Sequence, residues 1–371
     1  MDNELCGLMA LSRIPGIGNV LLKQLISYTG SADSALSASS GSLAKIPGIG
    51  PFFARAVVEH RAGKLAEAMA EIERAGKENA RLLHYLQPEY PSRLKKIPDA
   101  PPVIYLKGNF SFENPRILAI VGTRQASNYG KLAIESFISD LMPYKPVIVS
   151  GLAYGIDAHA HKMAIQEGIE TWAVLGTSIN FIYPSPHKGL AAKVQACGGI
   201  ISEVPLDGKQ DPSNFPERNR IIAGLSDAVW VVEAGEKGGA LITARLALDY
   251  FRDVFALPGD FRSPVSAGCH HLIASGSAGL VPSASALAEA AGWKLPASGE
   301  ASELEPLSQT PSGISDPEEE AVYRMLGRTE IHLDELSWQS GLSVNKLAGI
   351  LLGLEFAGFV KSLPGKRYAR R

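Results

Sequence analysis

Ile117-Leu118-Ala119-Ile120-Val121-Gly122-Thr123-Arg124 is an apolar run that stops at a glycine turn carrying an arginine. The pattern recurs three times. Val147–Val149 runs into Ser150-Gly151-Leu152-Ala153-Tyr154-Gly155-Ile156-Asp157, Trp172–Leu175 into Gly176-Thr177-Ser178, and Val229–Val232 is followed by Gly235-Glu236-Lys237-Gly238-Gly239. Runs that are apolar throughout are expected of strands covered on both faces. Glycine lets backbone N–H groups approach a ligand, and a helix that starts at such a turn points its positive end at an anion. Between the third and fourth runs lies Phe215-Pro216-Glu217-Arg218-Asn219-Arg220. A guanidinium is always charged, and its planar donor fork suits phosphate. The core is therefore expected to hold phosphate at the carboxyl ends of its strands.

The phosphate is not that of a dinucleotide. A dinucleotide fold carries Gly-x-Gly-x-x-Gly after its first strand, and here Arg124 stands where a pyrophosphate needs glycine. No Gly-x-x-x-x-Gly-Lys-Ser/Thr loop occurs, which removes the usual triphosphate cradle. A mononucleotide or a nucleic-acid backbone remains. The net charge of −2 supplies no global attraction, so a nucleic-acid site has to be a local cluster. The three cysteines, Cys6, Cys197 and Cys269, lie far apart and suit a reducing compartment. Neither a basic-then-apolar leader nor a membrane-length apolar run is present, so the expectation is a cytoplasmic protein with no membrane partner.

On a helix, residues two apart face away from each other, so only one of Arg218 and Arg220 can reach a given ligand while the other braces the fold. Asn219 can cap the turn or read a base edge, and Phe215 can stack on a base or pack in the core. Lys209, in the preceding loop, is a further phosphate contact. Asp157-x-His159-x-His161 resembles a metal set, but helical spacing turns His159 away from the other two, so no metal or cofactor is expected and Asp157 is read as a contact to its own turn. Ser150 and Ser178 lack a Gly-x-Ser-x-Gly elbow. No general acid and base pair stands out; the site binds rather than reacts.

Along the chain, Ile14-Pro15-Gly16-Ile17-Gly18 returns as Ile46-Pro47-Gly48-Ile49-Gly50 between helix-like segments. This is a helix-hairpin-helix signature, whose turn can hold a DNA phosphate on backbone N–H groups, here at Gly16, Gly18, Gly48 and Gly50. The same pair equally makes a compact helical adaptor, and nine Lys/Arg against nine Asp/Glu in residues 1–90 leave both readings open. Gln87 to Pro115 is proline-rich and reads as extended chain against the sheet. Strands at 117–121, 147–149, 172–175, 199–204, 229–232 and 253–257 alternate with helical segments. Residues 294–316 form a Pro/Ser/Gly linker. The last 55 residues read as three helices, the third over Val344–Phe356 with Ser343 as its N-cap, and a β-ribbon over 359–368, which together make a winged helix. Its balanced charge and single lysine in the third helix, Lys346, favour a protein-interaction or structural role. The expected fold is an α/β, doubly wound, mostly parallel, extended Rossmann-like sheet at 86–293. An all-α helix-hairpin-helix (SAM-like) domain precedes it at 1–85, and a winged helix follows at 317–371.

Ala119-Ile120-Val121-Gly122-Thr123-Arg124, the Ser150–Asp157 turn and Phe215–Val232 together resemble the DprA/Smf family of bacterial DNA-processing proteins. The resemblance implies a non-enzymatic single-stranded DNA binder. Such a protein protects incoming strands in natural transformation, displaces single-strand-binding protein and loads RecA, as a homodimer through the core. Carried over by position, the pocket comprises Arg124, Ser150, Gly151, Gly176, Thr177, Lys209, Phe215, Arg218 and Asn219, beside Gly122, Thr123 and Arg220 of the same segments. Gly268-Cys269-His270-His271 departs from the family's usual turn. The competing enzymatic reading is a nucleoside-monophosphate phosphoribohydrolase on a similar sheet. Such enzymes carry Pro-Gly-Gly-x-Gly-Thr, and Glu233–Ala240 lacks that pattern.

Overall fold

The structure is a computed structural model and describes residues 2–208, 211–295, 316–326, 331–340, 342–363 and 366–370. The chain divides into two compact units, Met1–Pro296 and Ala297–Arg371. The expected linker at 294–316 falls almost wholly outside the described residues, as do Lys209 and the turn at 364–365.

The first unit opens with helices α1 (Asn3–Ser12), α2 (Asn19–Thr29), α3 (Ala32–Ser37), α4 (Ser40–Leu43) and the 27-residue α5 (Pro51–Lys77). Both Ile-Pro-Gly-Ile-Gly copies make the same turn. Gly16 and Gly48 sit at φ +84° and +78°, and Ile17 and Ile49 donate their N–H back to Ile14 and Ile46. All four isoleucines are buried, so the repeat folds through its own apolar contacts. The elements that follow are β1 (Arg81–His84), α6 (Ser92–Lys95), β2 (Val103–Gly108), β3 (Ile117–Val121), α7 (Asn128–Leu141), β4 (Val147–Ser150), α8 (Ile156–Gln166), β5 (Thr171–Val174), α9 (Lys188–Cys197) and β6 (Gly198–Ser202). The unit ends with α10 (Asn214–Leu225), β7 (Ala228–Val231), α11 (Gly239–Asp249), β8 (Asp253–Ala256), α12 (Ala267–Ala274), β9 (Gly279–Leu280) and α13 (Ala284–Ala290).

The sheet order is β1-β2-β6-β5-β4-β3-β7-β8-β9. From β6 to β9 every pairing is parallel, while β1 and β2 add an antiparallel edge. The chain moves outward from β3 to β6 and then returns through α10 to the other side of β3. The order therefore reverses beside β3, which is where open α/β sheets bind ligands. Along β3 successive residues serve opposite faces. Ile117, Ala119 and Val121 pack with α10 and α11, and Leu118 and Ile120 with α7, α8 and α13.

The proline-rich stretch differs from its reading as plain extended chain. Between its prolines it supplies α6 and β2, whose register runs Tyr105 opposite Ser202 and Leu106 opposite Ile201. The strand holds because its prolines precede it, so no ladder donor is missing. Strand β1 falls inside the segment read as wholly helical, and α1, α2 and α5 share one apolar core with β2, β5 and α9. The helical layer thus closes one face of the sheet.

The second unit holds α14 (Pro317–Met325), β10 (Ile331–His332), α15 (Leu333–Ser340), α16 (Val344–Phe356), β11 (Val360–Leu363) and β12 (Arg367–Arg370). The strands form a small sheet in the order β10-β12-β11. Val322, Leu336, Leu347, Leu351 and Val360 make its core, which is the winged-helix arrangement. Ser343 caps α16 by accepting the Lys346 N–H. Lys346, the lysine of that helix, is held by Glu318 at 2.6 Å.

Candidate nucleic-acid interface

A cleft of about 810 Å³ opens at the carboxyl ends of β3 and β7 and at the start of α10, beside the point where the strand order reverses. Three of its walls are turns that follow apolar strands. Gly122, Thr123 and Arg124 come from the β3 turn, and Gly235, Gly238 and Gly239 from the turn after β7. Phe215, Arg218 and Asn219 come from the first turns of α10. Tyr183, from the loop after β5, completes the rim and meets the Phe215 ring at 5.3 Å and 55°. Tyr183 is 47% exposed, so the aromatic pair offers a face to the opening.

Arg218 is the buried cation of the cleft. Its Nη1 donates to the Gly151 carbonyl at 2.7 Å and to the Val174 carbonyl, and Nε donates to Asn219 Oδ1. Burial pulls its pKa down to about 10; the Asp157 carboxylate holds it up, and Arg124 lowers it further. Asp157 itself is raised above its usual range by burial, with the Arg218 charge opposing. It accepts from the Gly151 and Ala153 amides at 3.2 and 3.4 Å, the contact to its own turn that its position suggested. Gly151 has to be glycine: a Cβ there would lie 2.5 Å from both Nη atoms of Arg218. Asn219 ties the arginine to the last turn, since its Nδ2 donates to the Gly239 carbonyl.

The other arginine of the hexapeptide goes elsewhere. Arg220 is buried on the opposite side of α10, donating to the Asp99 carbonyl at 2.6 Å and paired with Glu203. It braces the proline-rich stretch against the end of β6 and does not line the cleft, which is the division between neighbours two apart on a helix. The hydroxyls of Ser150 and Thr177 are also spent inward, on the Ile120 and Phe181 carbonyls at 2.6 Å each. Gly151 and Gly176 act from behind, by letting Arg218 and Phe215 approach. Arg124, by contrast, is exposed at the mouth and makes no ion pair among the described residues. Gln125, Tyr183 and the three glycines after β7 were not among the expected ligands. The glycines had a signal in their turn, whereas Tyr183 had none.

His161 is buried with Nδ1 against Thr171 Oγ1 at 2.7 Å, and His159 bonds Glu135. Among the described residues no group of three His, Cys, Asp or Glu side chains is placed to hold a metal. Cys269-His270-His271 lies in α12 with the thiol buried. The two hairpin turns differ in surroundings. Asn19, directly after Gly18, donates to the Asp99 carbonyl, and Lys23 to the Ile97 and Pro98 carbonyls, so the first copy is docked on the core beside Asp99. At the second copy space is open beyond Gly50, with Phe52 72% exposed. No described helix is long and apolar enough to cross a membrane.

The family model described as DNA recombination-mediator protein A matches residues 81–292, and that of the DprA winged helix domain matches 305–366. The chain is 32% identical to the Smf protein of Synechocystis over 98% of each chain. The X-ray structure of DNA processing protein A from Streptococcus pneumoniae superposes with a TM-score of 0.65 at 32% identity, covering 78% of this chain and 98% of that one. A second structure, of DNA processing protein A from Helicobacter pylori, superposes at 0.52 with 28% identity over 57% of this chain and 94% of that one; its description concerns that protein's single-stranded DNA binding mode.

Proposed function

Because the chain belongs to the DNA recombination-mediator protein A family, we propose that it binds single-stranded DNA in the cleft at the β3 and β7 ends. The observation that carries this reading is the pairing, across one opening, of an exposed unpaired guanidinium with an aromatic face. Arg124 meets a phosphate, while Phe215 and Tyr183 meet a base. Base-on-ring stacking of this kind contributes about 1–3 kcal/mol and tolerates any sequence. Gly122, Thr123 and Asn219 offer backbone and amide groups around Arg124, with Lys209 as a further phosphate contact in the preceding loop. Arg218 is the positive floor, and Ser150, Gly151, Gly176 and Thr177 hold the walls. Arg220 supports α10.

The activity is binding without chemistry. The Asp157 carboxylate is committed to two amides and that of Glu233 to Ser127, which leaves no acid and base pair facing the opening. In the same reading the protein works in the cytoplasm as a homodimer, protects incoming strands during transformation, displaces single-strand-binding protein and passes the strand to RecA. The winged helix then serves a protein partner, because Lys346 is already neutralised by Glu318.

The test is anisotropy with labelled oligothymidine across a salt series. Each phosphate neutralised contributes about 0.7 to the slope of log affinity against log salt. Arg124→Ala is expected to lower affinity and reduce that slope by about one such increment. An unchanged slope would remove Arg124 from the site.

A further inference from the structure

On the far side of Arg124 lies a second groove, of about 670 Å³, which shares Arg124 and Gln125 with the first cleft. Between the two stands the turn after β4, packed so tightly on the β3 turn that a Cβ on Gly155 would lie 2.3 Å from the Thr123 carbonyl oxygen. Arg124 is therefore the saddle over which one cavity passes into the other. The second groove is lined by Lys131 from the first turn of α7, Lys162 from α8, and Tyr154, His159 and His187. None of its lining residues is acidic. The Glu135 carboxylate nearby is taken by His159 Nε2 at 2.9 Å. Lys131 and Lys162 have no carboxylate within salt-bridge reach among the described residues. Two cations without counter-ions on facing helices, in a protein whose net charge is −2, mark a local anion site.

The groove also has a flat apolar face. Tyr154 is 44% exposed and rests edge-on against the His187 ring at 4.9 Å and 66°. His187 is held in place by its Nδ1–H, which donates to the Leu152 carbonyl at 2.8 Å. The histidine thus backs the tyrosine as Phe215 backs Tyr183 in the first cleft. Each cavity pairs an aromatic ring with unpaired positive charge, and Arg124 is common to both. A single-stranded polynucleotide repeats phosphate and base along its length, so it is the ligand that two such adjoining sets would share.

We propose that the groove of Lys131, Tyr154 and Lys162 is a second subsite for the same strand, which crosses from the first cleft over Arg124. This rests on the reading of the first cleft as a single-stranded DNA site and adds a path to it. A short oligonucleotide fills the first cleft alone, and a longer one reaches the lysines.

The experiment compares Lys131→Ala/Lys162→Ala with the unchanged protein, using oligothymidines of about 5 and about 15 nucleotides, a span set by known single-strand site sizes. For the longer strand the double variant is expected to weaken binding and to cut the salt slope by about 1.4, two phosphates' worth. The shorter strand is expected to bind as before. Tyr154→Ala is expected to weaken the longer strand with its salt slope kept. Equal slopes for the double variant and the unchanged protein on the longer strand would overturn the proposal, and so would equal losses on both lengths. If the unchanged protein fails to hold the shorter strand while Arg124→Ala makes no difference to the longer one, the first cleft is misread and the extension falls with it. Loss by Arg124→Ala on both lengths, with none in the double variant, leaves the first cleft standing and removes only the path.

Discussion

Adding one methyl group at Gly176 should displace the Phe215 ring and so report on what that ring does. A Cβ there would lie 2.8 Å from Phe215 Cδ1 and 3.1 Å from both Cγ and Cα. Ordinary contact begins at 3.4 Å, so the ring has to retreat by about 0.6 Å, and the helix backbone is too close to absorb all of it. Gly176 is not among the positive-φ glycines, so alanine is not opposed by the backbone itself. Overpacking of this size costs the fold about 1–3 kcal/mol. If the ring stacks on a base, Gly176→Ala forfeits up to about 1–3 kcal/mol of binding, roughly 5- to 150-fold in Kd. Phe215→Ala should lose as much binding and also relieve the clash. The double variant should then bind no worse than Phe215→Ala alone, because the methyl has nothing left to push; the measured coupling is the signature. Anisotropy with oligothymidine gives the affinities, and urea unfolding shows whether each variant is folded. Independent, additive losses would refute the placement of Phe215 against Gly176. Unchanged binding in a folded Phe215→Ala protein would refute its role in stacking.

Two further outcomes follow from buried groups. Glu71 on α5 is almost fully buried; its Oε1 accepts the Leu206 N–H at 2.5 Å, with Arg13 Nη2 at 3.9 Å. Glu71→Leu strands that amide and the nearby guanidinium and should cost about 3 kcal/mol in urea unfolding. Glu71→Gln keeps an acceptor and should recover more than half; equal losses would show that the hydrogen bond is not what holds the loop. His161 has its pKa driven down to about 3 by burial first, then by Arg218 and His187. Its folded value lies below the ordinary 6.5, so the unfolded chain takes up the proton first. The stabilising contribution is full above pH 6.5 and is lost as pH falls toward about 3, with about 2–3 kcal/mol gone near pH 4.5. His161→Asn retains a donor for Thr171 Oγ1 without the titration and should flatten that part of the stability profile. A profile parallel to that of the unchanged protein would exclude His161 as the source.

Much of this protein is decided locally and can be read along the chain. Ile117–Val121 and its companions carry no polar residue, so they have to be strands buried on both faces, and glycine turns at their ends set the ligand edge. The Ile-Pro-Gly-Ile-Gly turns and the Ser343 cap of Val344–Phe356 likewise depend on neighbours within a few residues. Other features depend on partners far away in sequence. Arg218 and Arg220 are chemically alike and two apart, and only folding places carbonyls of Gly151 and Val174 beside one and Asp99 and Glu203 beside the other. Ser150 and Thr177 sit in ligand-like turns, yet their hydroxyls satisfy carbonyls that would otherwise be buried unpaired. Tyr183 joins Phe215 from a loop with no glycine or charge to mark it, and β2 finds its place in the sheet by pairing with β6, almost a hundred residues on. Period and turn chemistry are properties of a short stretch of backbone. The direction of a side chain becomes a property of the site only when separate strands bring its partners together.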